Sequence, residues 1–310
     1  MQELIPFCNT DRQRQVIQAI IDTGSQRKAA IALGIGKTTV FNTLQSIRRN
    51  AEQKNDHVAL GGQYRKHFVI PDVQAKPGVP LKHLEWAGKY IAEKRPDVIV
   101  CIGDFADMPS LSLYDRGKKS FEGRRYKADV SAAHEAMELL MTPIVNVPDY
   151  NPELILTLGN HEHRISRACD DDSKLDGTIG LQDLGYEAWG WKVIPFLQVK
   201  EIDGIHYSHY FYNPNSGKPY AGTAHTKLKN IGMTFVMGHQ QGIDVAMREL
   251  PNGKKQCGVV AGSFYQHQED YKGPQGNGHW HGCLMLHEVN EGEFDLMQIS
   301  LDYLRRRYGK

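Results

Sequence analysis

Four short polar clusters carry the side chains that bind cations and transfer protons. In chain order they are Asp72-Val73-Gln74, Gly103-Asp104-Phe105-Ala106-Asp107, Gly159-Asn160-His161-Glu162 and Gly238-His239-Gln240-Gln241. Each cluster follows an apolar run that is typical of a β-strand. Because open α/β sheets place their chemistry at the carboxyl ends of the strands, we expect the four loops to meet in space. Carboxylates, amides and imidazoles gathered in this way suit a pair of metal ions, and such a pair can cleave a phosphoester.

The apolar runs that would position these clusters alternate with helices in the first half of the chain. Strands are predicted over residues 67–70, 97–102, 154–158, 193–199, 205–207, 234–237 and 258–261. Amphipathic helices over residues 81–94 and 128–140 separate the first three strands. This alternation predicts parallel pairing in the first half, and the later succession of strands predicts more antiparallel pairing. We therefore predict an α/β fold, a two-sheet sandwich flanked by helices.

A basic segment precedes this α/β region. Residues 1–66 have a net charge of +5, from 10 Lys and Arg against 5 Asp and Glu, whereas the whole chain of 310 residues has a net charge of only +1. Such asymmetry indicates a basic module that meets an anionic partner, joined to a larger acidic body. We predict a small all-α domain over residues 1–55, a polar linker over 56–65 and the α/β domain over 66–310.

The basic segment has the pattern of three short helices. Asp11 and Ser25 are the candidate N-caps of the first two, and the third begins at Lys37 or Thr38 after the turn Gly34-Ile35-Gly36. This arrangement resembles the helix-turn-helix of transposase-type and regulatory DNA-binding domains, although a purely structural or protein-docking bundle gives a similar pattern. The predicted nucleic-acid contacts on the third helix are Lys37, Thr39, Asn42, Arg48 and Arg49.

Beyond the basic segment, the ordered clusters resemble the calcineurin-like metallophosphoesterase family over roughly residues 66–300. The family pattern runs D-x-H, G-D-x-x-D, G-N-H-[DE], a lone His and G-H-x-H. The clusters at Gly103 and Gly159 match it fully, and those at Asp72 and Gly238 match it in part. With a helix-turn-helix ahead of this region, the chain resembles phage-encoded metallophosphoesterases. The resemblance implies a metal-dependent phosphoesterase with two packed sheets.

The resemblance also implies which side chains hold two divalent cations. Asp104 would bridge the two ions, and Asp72 would bind one of them. The other ion would be bound by Asn160, His209 and His239. We take His209, and not His206, as the lone His of the family pattern, because side chains alternate along a strand and His206 should point elsewhere.

The same resemblance implies catalytic and orienting roles. His161 would protonate the leaving oxygen or hold the phosphoryl group. Together with the bridging Asp104, it is a candidate catalytic residue for attack by a metal-bound water or hydroxide. Asp107 and Glu162 would orient neighbouring side chains without binding a metal themselves.

Two positions depart from the family pattern, which has His where this chain has Gln74 and Gln241. Both belong to the ion bound by Asp72, so that site would offer only oxygen ligands, which favour Mg²⁺, Mn²⁺ or Ca²⁺. The site with imidazoles would accept Mn²⁺, Fe²⁺ or Zn²⁺. We expect two divalent ions, with Mn²⁺ favoured over Mg²⁺, Fe²⁺ and Zn²⁺ and with a weak site at Asp72, Gln74 and Gln241. An enzyme that uses one metal and an inert domain are the alternatives.

Basic and aromatic side chains follow Asp104 and suit a nucleic-acid backbone with unstacked bases. Within residues 105–127 the predicted substrate contacts are Arg124, Arg125 and Tyr126. Arg164, after the third cluster, is a planar donor for a phosphate group. A solvated loop is the alternative interpretation of this charge run.

Together these features predict a phosphodiesterase whose partner and substrate is nucleic acid, with DNA favoured. The alternatives are a phosphomonoesterase for a nucleotide, small molecule or phosphoprotein, and a DNA-binding protein with an inert phosphoesterase body. No apolar stretch approaches about 18 residues, so we expect no membrane association. Five scattered cysteines without a C-x-x-C pair indicate reduced thiols in a cytoplasm, the host cytoplasm for a phage-encoded protein. Protein partners are left open.

Overall fold

In the computed structural model of the protein, the described residues are 2–8, 10–47, 64–269 and 273–309. The chain divides into two compact units, Met1–Tyr64 and Arg65–Lys310. Most of the linker predicted over 56–65 lies outside the described residues, and so do Arg48 and Arg49. Among the described helices, none combines the length and the apolar composition needed to span a membrane.

Within the described residues, the first unit contains three α-helices around a small apolar core. They are α1 (Asp11–Thr23), α2 (Gln26–Leu33) and α3, whose described residues are 37–47. The buried side chains between them are Val16, Ile17, Ile20, Ala29, Ala30, Val40, Leu44 and Ile47. Thr10, and not Asp11, is the N-cap of α1, because the Thr10 side chain accepts a hydrogen bond from the N–H of Gln13 and the Thr10 N–H donates one to Oε1 of Gln13.

The connection from α2 to α3 is as short as the sequence predicts. Gly34 has a left-handed backbone with φ of 63°, which ends α2, and α3 begins at Lys37. Ser25 occupies the N-cap position of α2, although its side chain makes no capping hydrogen bond. The small all-α unit ahead of the α/β region is therefore confirmed.

The second unit contains the strands and helices that carry the polar clusters. Its strands are β1 (Arg65–Ile70), β2 (Val98–Cys101), β3 (Glu153–Thr157), β4 (Lys192–Ile194), β5 (Lys200–Ile202), β6 (Ile205–Tyr207), β7 (Tyr212–Asn213), β8 (Lys218–Pro219), β9 (Phe235–Met237), β10 (Ile243–Glu249), β11 (Lys255–Ala261), β12 (Gly282–Asn290) and β13 (Glu293–Ser300). Its helices are α4 (His83–Lys94), α5 (Tyr126–Val145), α6 (His163–Asp171), α7 (Ala224–Ile231), α8 (Gly273–Gly276) and α9 (Leu301–Tyr308).

The first sheet has the strand order β13-β12-β1-β2-β3-β4. Strands β1 to β4 run parallel, as the alternation of strand and helix predicts. Strands β12 and β13 extend the sheet in antiparallel fashion beside β1. The strand predicted over 193–199 ends at Ile194, because Pro195 has no N–H to donate to a neighbouring strand.

The second sheet has the order β10-β11-β9-β6-β5. Strands β6, β9 and β11 are parallel, and within this sheet only the edge strands β5 and β10 pair in antiparallel fashion. Strands β6 and β9 are parallel because α7 lies between them in the chain and makes a strand–helix–strand connection. The antiparallel pairing predicted for the later part of the chain is found at these edges, in β12 with β13 and in β7 with β8. Strands β7 and β8 form a separate two-stranded ribbon.

Alternating side chains of β1, β2 and β3 pack on opposite faces of the first sheet. On one face, Phe68, Ile99 and Leu156 belong to a core shared with α4 and α5. On the other face, Val69, Val100 and Ile155 belong to a core shared with the second sheet. The two-sheet sandwich flanked by helices is therefore confirmed, and the carboxyl ends of β1, β2, β3, β6 and β9 lead into the polar loops.

Candidate metal centre

One group of side chains forms a compact cluster after β2, β3, β6 and β9. We call Asp104, Asn160, His209 and His239 the imidazole cluster. The Oδ1 atom of Asn160 lies 3.0 Å from Nε2 of His209 and 2.9 Å from Nδ1 of His239. The Oδ2 atom of Asp104 lies 3.2 Å from Nε2 of His209. Ligand atoms of Asp104 and the two histidines all lie within 4.8 Å of one another, which is a spacing that one metal ion can use.

A backbone hydrogen bond orients His209 within the cluster. Its Nδ1 lies 2.9 Å from the carbonyl oxygen of Ile102, so the Nδ1–H group donates and Nε2 turns toward Asn160. The Nδ1 of His206 instead lies 3.1 Å from the carbonyl oxygen of Thr234. The structure therefore brings His209, and not His206, to the other predicted ligands.

Two glycines allow the loops to approach each other closely. A Cβ atom on Gly159 would lie 2.1 Å from Oδ1 of Asp104, and one on Gly238 would lie 2.4 Å from Oδ1 of Asp72. Neither position can accept a side chain unless a predicted ligand moves. Both glycines stand immediately before a residue of the imidazole cluster, which explains why the sequence clusters contain them.

Four predicted ligands have left-handed backbones, which residues other than glycine seldom adopt. The φ values are 49° for Gln74, 50° for Asp104, 70° for His239 and 59° for Gln241. Each such conformation costs on the order of 1 kcal/mol. Strain of this kind persists only where surrounding contacts fix the loops, and it is common at functional sites.

Glu162 fixes two of these loops to each other. Its buried carboxylate accepts hydrogen bonds from the N–H groups of Asp104, Ala106 and Gly159, at 3.1, 2.9 and 2.8 Å. The Tyr186 hydroxyl donates a further one at 3.4 Å. The orienting role that the sequence predicts for Glu162 thus acts on the backbone that carries the ligands, and not on their side chains.

The remaining predicted ligands, Asp72, Gln74 and Gln241, are all buried, and we call them the oxygen group. Across the described residues, Oδ2 of Asp72 and both polar side-chain atoms of Gln74 find no hydrogen-bond partner. Gln241 differs, because its Oε1 accepts a hydrogen bond from the Tyr265 hydroxyl at 3.0 Å. Buried polar atoms without partners are costly, so the unpaired side-chain oxygens of Asp72 and Gln74 fit a hard cation that binds oxygen.

Backbone hydrogen bonds hold the oxygen group beside the imidazole cluster. The Oδ1 atom of Asp72 accepts a hydrogen bond from the N–H of His239 at 3.0 Å. The N–H of Gln74 donates to the carbonyl oxygen of Asp104 at 2.8 Å. Loops from both sheets therefore bring the ligands predicted for the two ions to one place, although they are far apart in the sequence.

His161 lies at the edge of the imidazole cluster and has its own partners. Its Nδ1 lies 2.7 Å from Oδ1 of Asp107, so Nδ1–H donates to that carboxylate. Its Nε2 faces the cluster, 3.7 Å from Oδ2 of Asp104. Arg164 contacts both members of the pair, with Nη1 3.2 Å from Oδ1 of Asp107 and Nη2 3.2 Å from Nε2 of His161.

Burial and neighbouring charges shift the pKa values of these groups in opposite directions. Burial raises the pKa of Asp72 to about 7. Burial would also raise the pKa of Asp104, but the imidazoles of His161 and His209 hold it below its usual range. Conversely, burial would lower the pKa of His209, but Asp104 raises it to about 9. Burial lowers the pKa of His239 to about 4, which leaves this imidazole neutral and able to bind a metal at neutral pH.

Three residues near the site were not predicted from the sequence. The Nζ atom of Lys76 lies 3.1 Å from Oδ2 of Asp107 and 2.6 Å from Oε1 of Glu269. Tyr265 contacts the oxygen group through its hydroxyl. The position of Lys76, two residues after the first cluster, indicates that it lies near the site. No sequence feature indicates this for Tyr265 and Glu269, because their loop reaches the site only through contacts that are distant in sequence.

The basic and aromatic residues predicted to contact substrate have other partners. Nη1 of Arg124 donates to Oδ2 of Asp115 at 2.8 Å. The hydroxyl of Tyr126 donates to Oδ2 of Asp183 at 2.7 Å. Arg125 is exposed, and its Nη1 donates to the carbonyl oxygen of Arg124 at 2.8 Å. Their assignment as substrate contacts stays a prediction, and Arg164 alone of this set touches a residue at the metal centre.

The described residues predicted to contact nucleic acid lie on one helix of the first unit. Lys37, Thr39 and Asn42 are exposed on α3, whereas Val40 and Leu44 face the core of that unit. Exposed polar side chains on a helix are available to a partner. Their role in nucleic-acid binding stays a prediction.

The α/β unit that carries this site matches a known family. The family model described as Calcineurin-like phosphoesterase matches residues 68–297. The chain belongs to this family. This calcineurin-like phosphoesterase is also similar to the Gene 54 protein of Mycobacterium phage L5, with 25% identity over 186 residues that cover 58% of this chain and 71% of that protein. Among solved structures it is similar to YfcE, a phosphoesterase from E. coli, with a TM-score of 0.33, 12% identity, and coverage of 76% of this chain and 99% of that one.

Membership of the calcineurin-like phosphoesterases makes the protein a phosphoester hydrolase that uses divalent metal ions. The residues present fit such ions. The imidazole cluster offers a carboxylate, an amide oxygen and two ring nitrogens. The oxygen group adds buried polar atoms that find no partner among the described residues.

Proposed function

We propose that this calcineurin-like phosphoesterase hydrolyses phosphodiester bonds in nucleic acid and that DNA is its substrate. The observation that carries the proposal is the position of His161 at the edge of the imidazole cluster, with Nδ1 bonded to Asp107 and Nε2 3.7 Å from Asp104. A group that can move a proton thus stands beside the ligands that would hold the phosphate.

The side chains around the phosphate would divide the chemistry among them. Bound divalent ions supply a nucleophile from water at neutral pH and neutralise charge on the phosphoryl oxygens. Asp107 holds Nδ1–H of His161, and Nε2 accepts a hydrogen bond from Nη2 of Arg164. Once Arg164 turns to the phosphate and Nε2 takes up a proton from solvent, the doubly protonated ring would give that proton to the leaving oxygen. Arg164, whose Nη2 lies 3.2 Å from that Nε2, would donate planar N–H groups to the phosphoryl oxygens.

Support for nucleic acid as substrate comes from the first unit. Residues 1–66 have a net charge of +5, and Lys37, Thr39 and Asn42 are exposed on α3. Positive charge supplies most of the non-specific affinity of proteins for DNA. A small-molecule phosphatase would have no evident use for such a unit.

Hydrolysis of bis(p-nitrophenyl) phosphate and p-nitrophenyl phosphate, measured side by side, tests the class of bond. We expect Mn²⁺-dependent cleavage of the diester to exceed that of the monoester, and a chelator to abolish both. Asp104→Asn keeps the shape of the side chain but removes its charge, and should lower kcat by about 1,000-fold. Asp295→Asn, an exposed carboxylate on β13, is the matched control.

The other outcomes favour the alternatives. Faster cleavage of the monoester would favour a phosphomonoesterase. Cleavage of neither ester with Mn²⁺ or Mg²⁺ would favour a DNA-binding protein with an inert phosphoesterase body. Retention of activity in Asp104→Asn would contradict the assignment of the metal centre itself.

DNA binding tests the second part of the proposal. Replacing Lys37 and Asn42 together by Ala should weaken DNA binding, and the loss of one cation should lower the slope of log affinity against log salt by about 1. The rate on bis(p-nitrophenyl) phosphate reports whether the second unit is intact in this variant. Unchanged DNA affinity and salt slope would remove α3 from the interaction.

A further inference from the structure

A cavity of about 570 Å³ opens beside the imidazole cluster. Asn160 lines it, so the cavity and the cluster share a side chain. Volumes of about 300–1,000 Å³ are typical of sites for small molecules or cofactors. A group attached to a phosphate at the metal centre could therefore enter this space without a further conformational change.

Aromatic rings line the cavity and continue to the metal centre. The ring centroid of Tyr210 lies 4.6 Å from that of His239 and 5.6 Å from that of Tyr212, with the two tyrosine planes 28° apart. Elsewhere on the lining, the rings of Phe196 and His163 stack at 4.7 Å with planes 25° apart. These rings present flat faces, and flat faces bind flat groups by stacking.

Arg167 adds hydrogen-bond donors to these walls. Its Nε atom is buried, and no described residue accepts a hydrogen bond from it. A guanidinium group pairs with the ring nitrogen and carbonyl acceptors on the edge of a nucleobase. Tyr212 is 39% exposed, so the aromatic lining can be reached from solvent.

We propose that this cavity binds the nucleobase next to the scissile phosphate, with stacking on Tyr212 and Phe196 and hydrogen bonds from Arg167. The inference rests on the proposed phosphodiesterase function, because it places the phosphate at the adjoining metal centre. A nucleobase suits the cavity better than an aliphatic group does, because it is flat and carries acceptors on its edge. The cavity would thus give the enzyme its preference for nucleotides over other phosphoesters.

Binding of two phosphates that differ only in the base tests the inference. The affinities of the protein for adenosine 5′-monophosphate and ribose 5-phosphate are measured by calorimetry with Mn²⁺ present, and chromatography of each sample shows whether the phosphate ester stays intact. We expect the nucleotide to bind at least about 10-fold more tightly, as stacking on an aromatic side chain predicts. Tyr212→Ala should bring the two affinities close together, whereas Tyr212→Phe, which keeps the ring, should preserve the difference.

Two further variants secure the result. Tyr114→Ala removes a tyrosine that is 83% exposed and does not line the cavity, and it should leave the ratio of affinities unchanged. Phe196→Leu tests a second aromatic ring of the lining, which lies outside the β7–β8 ribbon that carries Tyr212. It should lower the ratio several-fold.

The outcomes separate this inference from the proposed function. Equal affinities for the two phosphates, or a ratio that survives both Tyr212→Ala and Phe196→Leu, would overturn the base site even if the protein cleaves diesters. Discrimination between the phosphates in a protein that cleaves no diester with any metal would support the base site and overturn the phosphodiesterase. The same variants should lower the kcat/KM of a thymidine p-nitrophenyl phosphate diester and spare that of methyl p-nitrophenyl phosphate.

Discussion

The imidazole cluster and the oxygen group satisfy their buried polar atoms in different ways. In the imidazole cluster, Oδ1 of Asn160 lies within 3.0 Å of Nε2 of His209 and 2.9 Å of Nδ1 of His239. In the oxygen group, Oδ2 of Asp72 and the polar atoms of Gln74 have no partner within the described structure. The imidazole cluster is held together by its own side chains, whereas the oxygen group is held by hydrogen bonds with the backbone and, at Gln241, with the Tyr265 hydroxyl. We therefore predict two cation sites of unlike chemistry and unequal strength.

The largest loss of metal affinity should follow from the substitution of a residue in the imidazole cluster. His209→Asn removes Nε2, which lies next to both Asn160 and Asp104. Since loss of a metal ligand costs more than the 10–100-fold typical of its supporting residues, the affinity for Mn²⁺ should fall by at least about 100-fold. Titration calorimetry measures this affinity, and a thermal melt without metal shows whether the variant is folded.

His206→Asn is the matched control for that experiment. It removes an imidazole three residues earlier whose Nδ1 contacts Thr234 and not the cluster. Its Mn²⁺ affinity should equal that of the unaltered protein. An equal loss in the two variants would show that the fall reflects a disturbed β6 and not a lost ligand.

The next largest effect is on the stability of the metal-free protein. It comes from a buried histidine that belongs neither to the imidazole cluster nor to the oxygen group. Burial lowers the pKa of His83 to about 3, and its Nε2–H donates to the carbonyl oxygen of Phe264 at 2.9 Å. The unfolded chain binds a proton at this residue below about pH 6.5 while the folded chain does not, so stability is lost as pH falls from there toward 3. Between about pH 7 and pH 5 this amounts to about 2 kcal/mol.

His83→Leu should remove that pH dependence. Urea unfolding of both proteins at about pH 7 and pH 5 gives the change in the free energy of unfolding between the two pH values. The difference in this change between the two proteins does not include any fixed cost of the lost hydrogen bond. Added Mn²⁺ should raise the stability of both proteins alike, because His83 belongs to neither half of the metal centre. Identical pH dependence in the two proteins would mean that His83 titrates normally in the folded state.

A smaller change in metal affinity is expected when the two glutamines of the oxygen group are replaced by the histidines of the family pattern. In Gln74→His with Gln241→His, the affinity of this half for Zn²⁺ should rise by about 10-fold, because imidazole is a better ligand than an amide oxygen for that ion. Both positions have positive φ, at 49° and 59°, a conformation that His tolerates better than most residues. Unchanged metal content and preference would contradict the placement of these two residues at a metal.

The sequence predicts the strands most accurately where a strand leads directly into its polar cluster. Apolar runs gave β1, β2 and β3 within one or two residues at each end, and each run is followed by the polar loop that the structure brings to the site. Strand β10 was missed because it is an edge strand whose side chains are mostly exposed, so it has no apolar run. Strand β12 was missed as well, and its place beside β1 depends on pairing across most of the chain.

The same limit applies to side-chain partners at the site. The residue types of the imidazole cluster follow from local motifs, but the partners of Arg124 and Tyr126 do not. Asp183, which accepts the hydrogen bond of Tyr126, lies 57 residues along the chain. No local pattern indicates such a pair, and none indicated that Tyr265 contacts Gln241.

The hydrogen bond from Tyr265 to Gln241 should give the smallest effect on metal affinity. It also tests whether the oxygen group and the imidazole cluster bind ions separately. Tyr265→Phe removes the hydroxyl that donates to Oε1 of Gln241 at 3.0 Å, and one lost hydrogen bond of this kind is worth about 1 kcal/mol. The Mg²⁺ affinity of the oxygen group should therefore fall by about fivefold, while Zn²⁺ binding at the imidazole cluster stays unchanged. Tyr186→Phe is the matched control, because it removes a buried hydroxyl that contacts Glu162 on the other side of the site. If Tyr265→Phe weakened both ions equally, the oxygen group would not be a separate site, and the two halves would act as one.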